Sequence, residues 1–171
     1  SAAAVQALAA EGSATETFKV QATDGINTTT AQDLTFTING VNDAPVLTVA
    51  SDGSVTEDAI VSTITGTLLG SDPEDDDLTY LISGETAVLG NYNVVNTYGT
   101  LSLNAVTGAY TYTLDNSAAA VQALGAGGSA TETFKVEATD GINTTTAQDL
   151  TFTINGANDA PVLTVASDGS V

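Results

Sequence analysis

The chain of 171 residues has no cysteine, histidine, methionine, tryptophan or arginine, and its only cations are Lys19 and Lys135. Without cysteine there are no disulfide staples and no thiol chemistry. Without histidine, acid–base catalysis would have to rest on paired carboxylates set in a cleft with aromatic walls for a sugar. Nine Phe and Tyr, mostly at inward strand positions, leave little for such walls, so the chain reads as no enzyme. Two lysines against 21 Asp and Glu give a net charge of −19. A surface of that sign repels nucleic acid and anionic membranes, both of which need a basic partner. Runs of apolar residues all fall short of a membrane-spanning helix, so no membrane insertion is expected.

Repetition is what the chain has instead. Residues 1–55 recur as residues 117–171 at a constant offset of 116, differing only at Ala9/Gly125, Glu11/Gly127, Gln21/Glu137 and Val41/Ala157. A step this long exceeds that of solenoid repeats, so each unit is expected to be a domain of its own in a tandem array. The division expected is a complete unit over 42–157, the C-terminal part of a preceding unit over 1–41, and the first strand of a following one over 158–171. Geometry supports that division. If strand G ends at the bottom of a domain and strand A starts at its top, joining them within one domain means crossing about 30 Å, the length of a strand. Gly40 to Pro45 cannot span that at about 3.5 Å per residue. Segment 1–41 then carries Phe18, Val20, Leu34, Phe36 and Ile38 with nothing in this chain to cover them.

Period-two alternation predicts strands almost everywhere between turns. Phe134, Val136 and Ala138 share one face of 132–138; Leu150, Phe152 and Ile154 share one face of 149–155. Tyr110, Tyr112 and Leu114 point one way in 109–114, as do Leu78, Tyr80 and Ile82 in 78–82. Further strands are expected at 45–50, 60–69 and 99–103. Asp140-Gly141 suits a tight turn with positive φ, and Asn104 to Gly108 a short hairpin loop. Asn116 reads as the cap of a short helix through Leu124, ended by glycines 125, 127 and 128. About seven strands with one short crossover helix make an all-β, Greek-key β-sandwich.

Three spaced runs, Tyr110 to Leu124, Thr131 to Gly141 and Thr151 to Val162, closely resemble VCBS-type repeats. These are cadherin-like, Ig-like sandwich domains strung along giant bacterial surface and secreted proteins, including adhesins. A Thr-, Ala-, Asn-, Asp- and Gly-rich chain with little Lys agrees with export to a bacterial surface. The resemblance implies an extracellular spacer or adhesive role with calcium at the domain junctions.

The residues make their own case for a cation. Asp72, Glu74, Asp75, Asp76 and Asp77 pack five carboxylates into six positions, and their repulsion must be relieved by solvent or an ion. With no His or Cys to favour zinc or copper, the ion would be hard and oxygen-seeking, hence Ca2+. The cadherin-like topology implies that this loop, the turn holding Asp140 and the entering Asn42-Asp43 meet at the upper junction. There the resemblance favours Asp72, Glu74 and Asp76, because the family loop spaces its acids alternately. Asp75 stands where that loop commonly has Gly, which leaves the choice among Asp75, Asp76 and Asp77 open. Glu57 resembles the acid at the far end of the domain that would serve a lower junction with Asn158 and Asp159. Asp24 is the counterpart of Asp140 in the preceding copy.

Asn27-Thr28-Thr29 and Asn143-Thr144-Thr145 fit a glycosylation acceptor pattern, but a polar strand start is the simpler reading. Thr rows at 28–30, 35–37, 144–146 and 151–153 suit exposed strand faces rather than a sugar- or ice-binding surface. Two functions are compatible with the whole. One is a calcium-stiffened spacer of a large adhesin in cell adhesion or biofilm, contacting neighbouring repeats of its own protein. The other is a repeat that assembles with other copies into a filament or sheath, by packing or strand exchange.

Overall fold

The computed structural model describes residues 2–10, 12–49 and 53–165. Glu11, Ala50 and the 166–171 part of the expected last strand lie outside the described residues. The elements are α1 (Ala2–Gln6), β1 (Ser13–Val20), β2 (Gln32–Asn39), β3 (Val46–Thr48), β4 (Gly53–Thr56), β5 (Thr63–Thr67), β6 (Leu69–Ser71), β7 (Thr79–Ile82), β8 (Asn91–Val95), β9 (Gly99–Asn104), β10 (Ala109–Leu114), α2 (Ala119–Gln122), β11 (Ser129–Thr139) and β12 (Gln148–Asn155).

Two four-stranded sheets form the sandwich, ordered β5-β10-β9-β8 and β4-β12-β11-β7. The chain passes from one sheet to the other between β4 and β5, between β5 and β7 by way of β6, between β7 and β8, and between β10 and β11. β4 runs parallel to β12, and β3 pairs with β6 in a small separate ladder. Alternation decides which side chains face inward, as expected. Tyr110, Tyr112 and Leu114 from one sheet meet Phe134, Val136, Leu150, Phe152 and Ile154 from the other, all buried. At the centre the Tyr112 ring stacks on Phe152 with centroids 4.4 Å apart, while Tyr110 and Phe134 meet Phe152 edge-on. These arrangements suit the ring quadrupoles and add to the area they bury.

Glu132 sits in phase with Phe134 and Val136 and is buried with them. Its carboxylate accepts from the Tyr112 hydroxyl at 2.8 Å and from the Tyr98 backbone N–H at 2.9 Å, so one buried acid ties the two sheets together. Burial, and after it the adjoining Glu132, pushes the Tyr112 phenol up from its ordinary value.

All seven expected segments carry strand, and β4 and β8 are added to them. The 60–69 segment divides at Leu68, whose side chain turns into the core while its N–H bonds to Gly108 O. The crossover helix is shorter than expected and is not capped by Asn116. Ala118 occupies the N-cap without a side-chain bond. The Asn116 side chain is drawn away instead, exchanging bonds with the backbone N–H and carboxylate of Asp58 at 3.0 and 2.5 Å.

Hairpin β1–β2 repeats the sequence and register of β11–β12, down to the Thr17–Thr35 contact and the Lys19–Asp33 ion pair, which recur as Thr133–Thr151 and Lys135–Asp149. Its surroundings differ. Phe18, Val20, Leu34 and Phe36 are 43–52% exposed, whereas Phe134, Val136, Leu150 and Phe152 are 0–4% exposed. The same residues therefore contribute differently at the two places. Phe152→Ala is expected to cost about 3–5 kcal/mol in urea unfolding and Phe36→Ala under about 1 kcal/mol. Equal losses would contradict this packing.

Turn conformations follow side-chain chemistry. Gly108 and Gly141 take positive φ in the two expected turns. Asp75 does so as well, with φ of 61°, at the position where the resembling loop commonly has Gly. Aspartate tolerates this region better than most residues but still with strain. Asp75→Gly should therefore raise stability in chelator by about 0.5–1 kcal/mol, read from the urea midpoint. A loss would show that Asp75 holds the loop through its carboxylate.

Candidate metal centre

The chain enters the sandwich at Asn42-Asp43-Ala44-Pro45, where Pro45 is buried. The residue before a proline is held extended, which sets the path of this entry. Three stretches distant in sequence meet around it. The Asn42 side-chain amide donates to Asp140 Oδ2 and to Asp43 O, each at 2.8 Å. Asp140 Oδ1 closes its own turn by accepting the N–H groups of Ile142 and Asn143 at 2.6 Å. From the acidic loop, Glu74 Oε2 accepts the Asp43 N–H at 3.2 Å, and Asp72 Oδ1 accepts the Glu74 N–H at 2.9 Å. Asn42, Asp43, Asp72, Glu74 and Asp140 thus come together.

Their electrostatics diverge. The Asn42 amide, helped by the Ile142 and Asn143 N–H groups, holds the Asp140 carboxyl below its ordinary value against the effect of burial. Glu74 is pushed up, first by burial and then by the neighbouring Asp43 and Asp72 carboxylates, although the Asp43 N–H pulls the other way. Glu74 thus carries its charge beside two other carboxylates with a single N–H, that of Asp43, to offset them.

Three buried side-chain oxygens of this cluster have no hydrogen-bond partner: Asn42 Oδ1, Asp72 Oδ2 and Glu74 Oε1. Buried acceptors are nearly always satisfied, so three orphans in one cluster call for a donor or a cation. The set, two carboxylates and an amide carbonyl, fits a hard ion such as calcium. Among the described residues no three carboxylates converge closely enough to form a shell by themselves. The fit therefore depends on the neutral oxygen of Asn42.

Asp76 is exposed and makes no hydrogen bond to this cluster. It lines an open hollow with Asp72, Asp75, Asp77, Tyr80 and Val106. The left-handed turn at Asp75 interrupts the alternation that would have set Asp76 beside Glu74.

Glu57 lies at the end of β4 and is 1% exposed. It accepts from Gln122 Nε2 at 3.0 Å and from the Ala157 N–H at 3.1 Å, which brings it to the residue before Asn158. Asn158 bonds to Asp159 O at 3.0 Å, as Asn42 does to Asp43 O, so the local entry conformation is repeated there. Both Asn158 and Asp159 are exposed. Asp24 repeats the Asp140 turn, accepting from Ile26 and Asn27, and those bonds hold its carboxyl below the ordinary value. It too is exposed.

Sequence reading missed two kinds of participant. Asn143, in the Asp140 turn, approaches Asp43 O at 3.5 Å. Gln6 donates to Asp43 Oδ2 at 2.7 Å. The position of Asn143 within the Asp140 turn was a usable signal; nothing local marks Gln6.

A family model described as bacterial cadherin-like domain matches residues 42–156. Among solved structures, the crystal structure of human protocadherin-24 EC1-2 matches with a TM-score of 0.41 and 21% identity, over 67% of this chain and 44% of that one. The chain thus spans less than half the length of that structure. No curated protein matches it. No helix among the described residues is long and apolar enough to cross a membrane. Cadherin-like domains are non-enzymatic modules of the adhesion type that generally bind calcium. This chain belongs to the bacterial cadherin-like domain family.

Proposed function

We propose that the chain is part of a calcium-stiffened spacer in a large extracellular protein of a bacterial surface, an adhesin acting in cell adhesion or biofilm. Residues 42–157 are one complete repeat, 1–41 the end of the repeat before it and 158–171 the beginning of the next. The observation that carries this reading is the trio of orphaned oxygens on Asn42, Asp72 and Glu74 where the chain enters the sandwich. An ion held by these residues, with Asp43 and Asp140 adjoining, would neutralise the crowding that pushes Glu74 up. It would also fix the entering segment against two loops of the body, so that one repeat holds its angle to the next. Glu57, Asn158 and Asp159 would do the same at the lower junction. The chain's residues supply binding and orientation only; the ion supplies charge and coordination.

A specific observation also favours a second reading. The bare apolar face of β1–β2 would be covered in a filament built from copies of the repeat, as the corresponding face of β11–β12 is covered within the body.

Calcium at a large excess over its Kd should raise the melting temperature by at least about 5 °C over chelator. Identical melting in the two buffers would refute the calcium reading. The response to Glu74→Gln should reverse sign between the buffers. A carboxyl with a raised folded pKa contributes stability that is complete below its unfolded pKa and lost as pH rises through the folded one. At pH 7 in chelator, the neutral glutamine should therefore melt higher than the wild type. In calcium it should melt lower, because a ligand oxygen has lost its charge. Calorimetry in both buffers checks this, and the same sign in each would remove Glu74 from the site.

A further inference from the structure

Two exposed isoleucines stand at opposite ends of the body. Ile60 is fully exposed, three residues beyond Glu57 in the loop from β4 to β5. Ile142 is 68% exposed in the turn that Asp140 closes by accepting its N–H. Scattered apolar residues are ordinary on a protein surface, so exposure alone says little. The course of the chain beside these two says more. At the lower end Glu57 holds the Ala157 N–H at 3.1 Å, so the chain leaves the body alongside the loop that carries Ile60. Its next residues, Asn158-Asp159-Ala160-Pro161, repeat Asn42-Asp43-Ala44-Pro45. In the body that entry is gripped by the Ile142 turn: Asn42 donates to Asp140 at 2.8 Å, and Asn143 reaches Asp43 O at 3.5 Å. The turn recurs in the array, since Asp24-Gly25-Ile26-Asn27 stands 116 residues before Asp140-Gly141-Ile142-Asn143. A following repeat that grips its own entry in the same way sets its counterpart of Ile142 beside Asn158. That is one residue, about 3.8 Å of chain, from the residue held by Glu57. The linker position between them is apolar in both copies, Val41 and Ala157.

We propose that Ile60 of one repeat packs against the Ile142 counterpart of the next, forming an apolar contact between neighbouring repeats beside the carboxylates of their junction. The contact rests on the division into repeats given above, and the ion is no part of it. Glu57, Asp58 and Asp159 on one side and the Asp140 counterpart on the other are alike in charge, so without an ion they push the repeats apart. Burial of hydrocarbon is non-directional and needs no counterion, so it supplies an attraction where the charges supply none. One pair of side chains is too small to hold two domains permanently. The contact therefore opens and closes in chelator, and an ion that balances the carboxylates keeps it closed.

The test uses the full chain continued by a second pass of residues 56–171, so that two complete repeats stand in tandem. The chain has no cysteine, so Ile60→Cys in the first repeat and Ile142→Cys in the second make a single thiol pair. A disulfide demands close approach of the two backbones, and its formation under dilute oxidation is read from gel mobility. Asn93→Cys, on the edge strand β8, replaces Ile60→Cys in the control. The Ile60 pair should close about tenfold faster than the control in calcium, and more slowly in chelator but still ahead of it. Rates equal to the control in both buffers would overturn the contact, whatever calcium does to the melting temperature of the same chain. Rates above the control but identical in the two buffers would support the contact and count against the calcium reading. In the 171-residue chain Ile60→Ser should melt within about 1 °C of the wild type. A larger drop would show that Ile60 serves its own body, and would overturn the assignment to the neighbour.

Discussion

Twenty-one carboxylates share two ammonium groups, and both ammonium groups are paired within hairpins rather than with the carboxylates of the junction. Lys19 pairs with Asp33 and Lys135 with Asp149, each across the outer face of a hairpin. The acidic groups gathered where the chain enters the sandwich must therefore be balanced by something other than side-chain cations. Amide and backbone N–H groups supply part of that balance. Asn42 serves Asp140, the Asp43 N–H serves Glu74, and Gln6 serves Asp43. They leave Asp72 Oδ2, Glu74 Oε1 and the Asn42 carbonyl unsatisfied, and leave Glu74 biased toward its neutral form. The hard cation proposed for this site would answer all of these at once.

The sandwich is what makes such crowding tolerable. Its two sheets are locked by the Tyr112–Phe152 stack and by the Glu132 carboxylate that accepts from Tyr112 and Tyr98. Loops at one end can then hold repelling charges without the core giving way. The paired hairpins show how much of this depends on context. Segment 13–39 and segment 129–155 differ only at Gln21/Glu137, yet one presents Phe18 and Phe36 half exposed and the other buries Phe134 and Phe152. Sequence specifies the hairpin; the opposing sheet determines whether its inner face becomes a core.

The parts legible in the sequence are those governed by local period or by topology. Alternation alone places Tyr110, Tyr112, Phe134, Val136, Leu150, Phe152 and Ile154 inside, because a strand with one buried face has a strict period of two. The meeting of Asn42, Asp43, Asp72, Glu74 and Asp140 follows once loops are assigned to one end of the sandwich. Long-range competition hid the rest. Asn116 has the chemistry of a helix cap, but Asp58, 58 residues away, engages it first. β4 and β8 are short and owe their existence to neighbours, β12 for one and β9 for the other. Asp76 fell outside the cluster because Asp75 adopts a left-handed conformation that no alternation rule anticipates. Glu132 lies in phase with the core, yet its burial makes sense only with the Tyr112 hydroxyl arriving from the opposite sheet.

The stiffened junction is tested most directly by small-angle X-ray scattering on residues 42–157 repeated twice in tandem, in calcium and in chelator, over a concentration series. A spacer predicts a longer maximum dimension in calcium, the same at every concentration. An unchanged dimension in the two buffers, or a mass that grows with concentration, would contradict it.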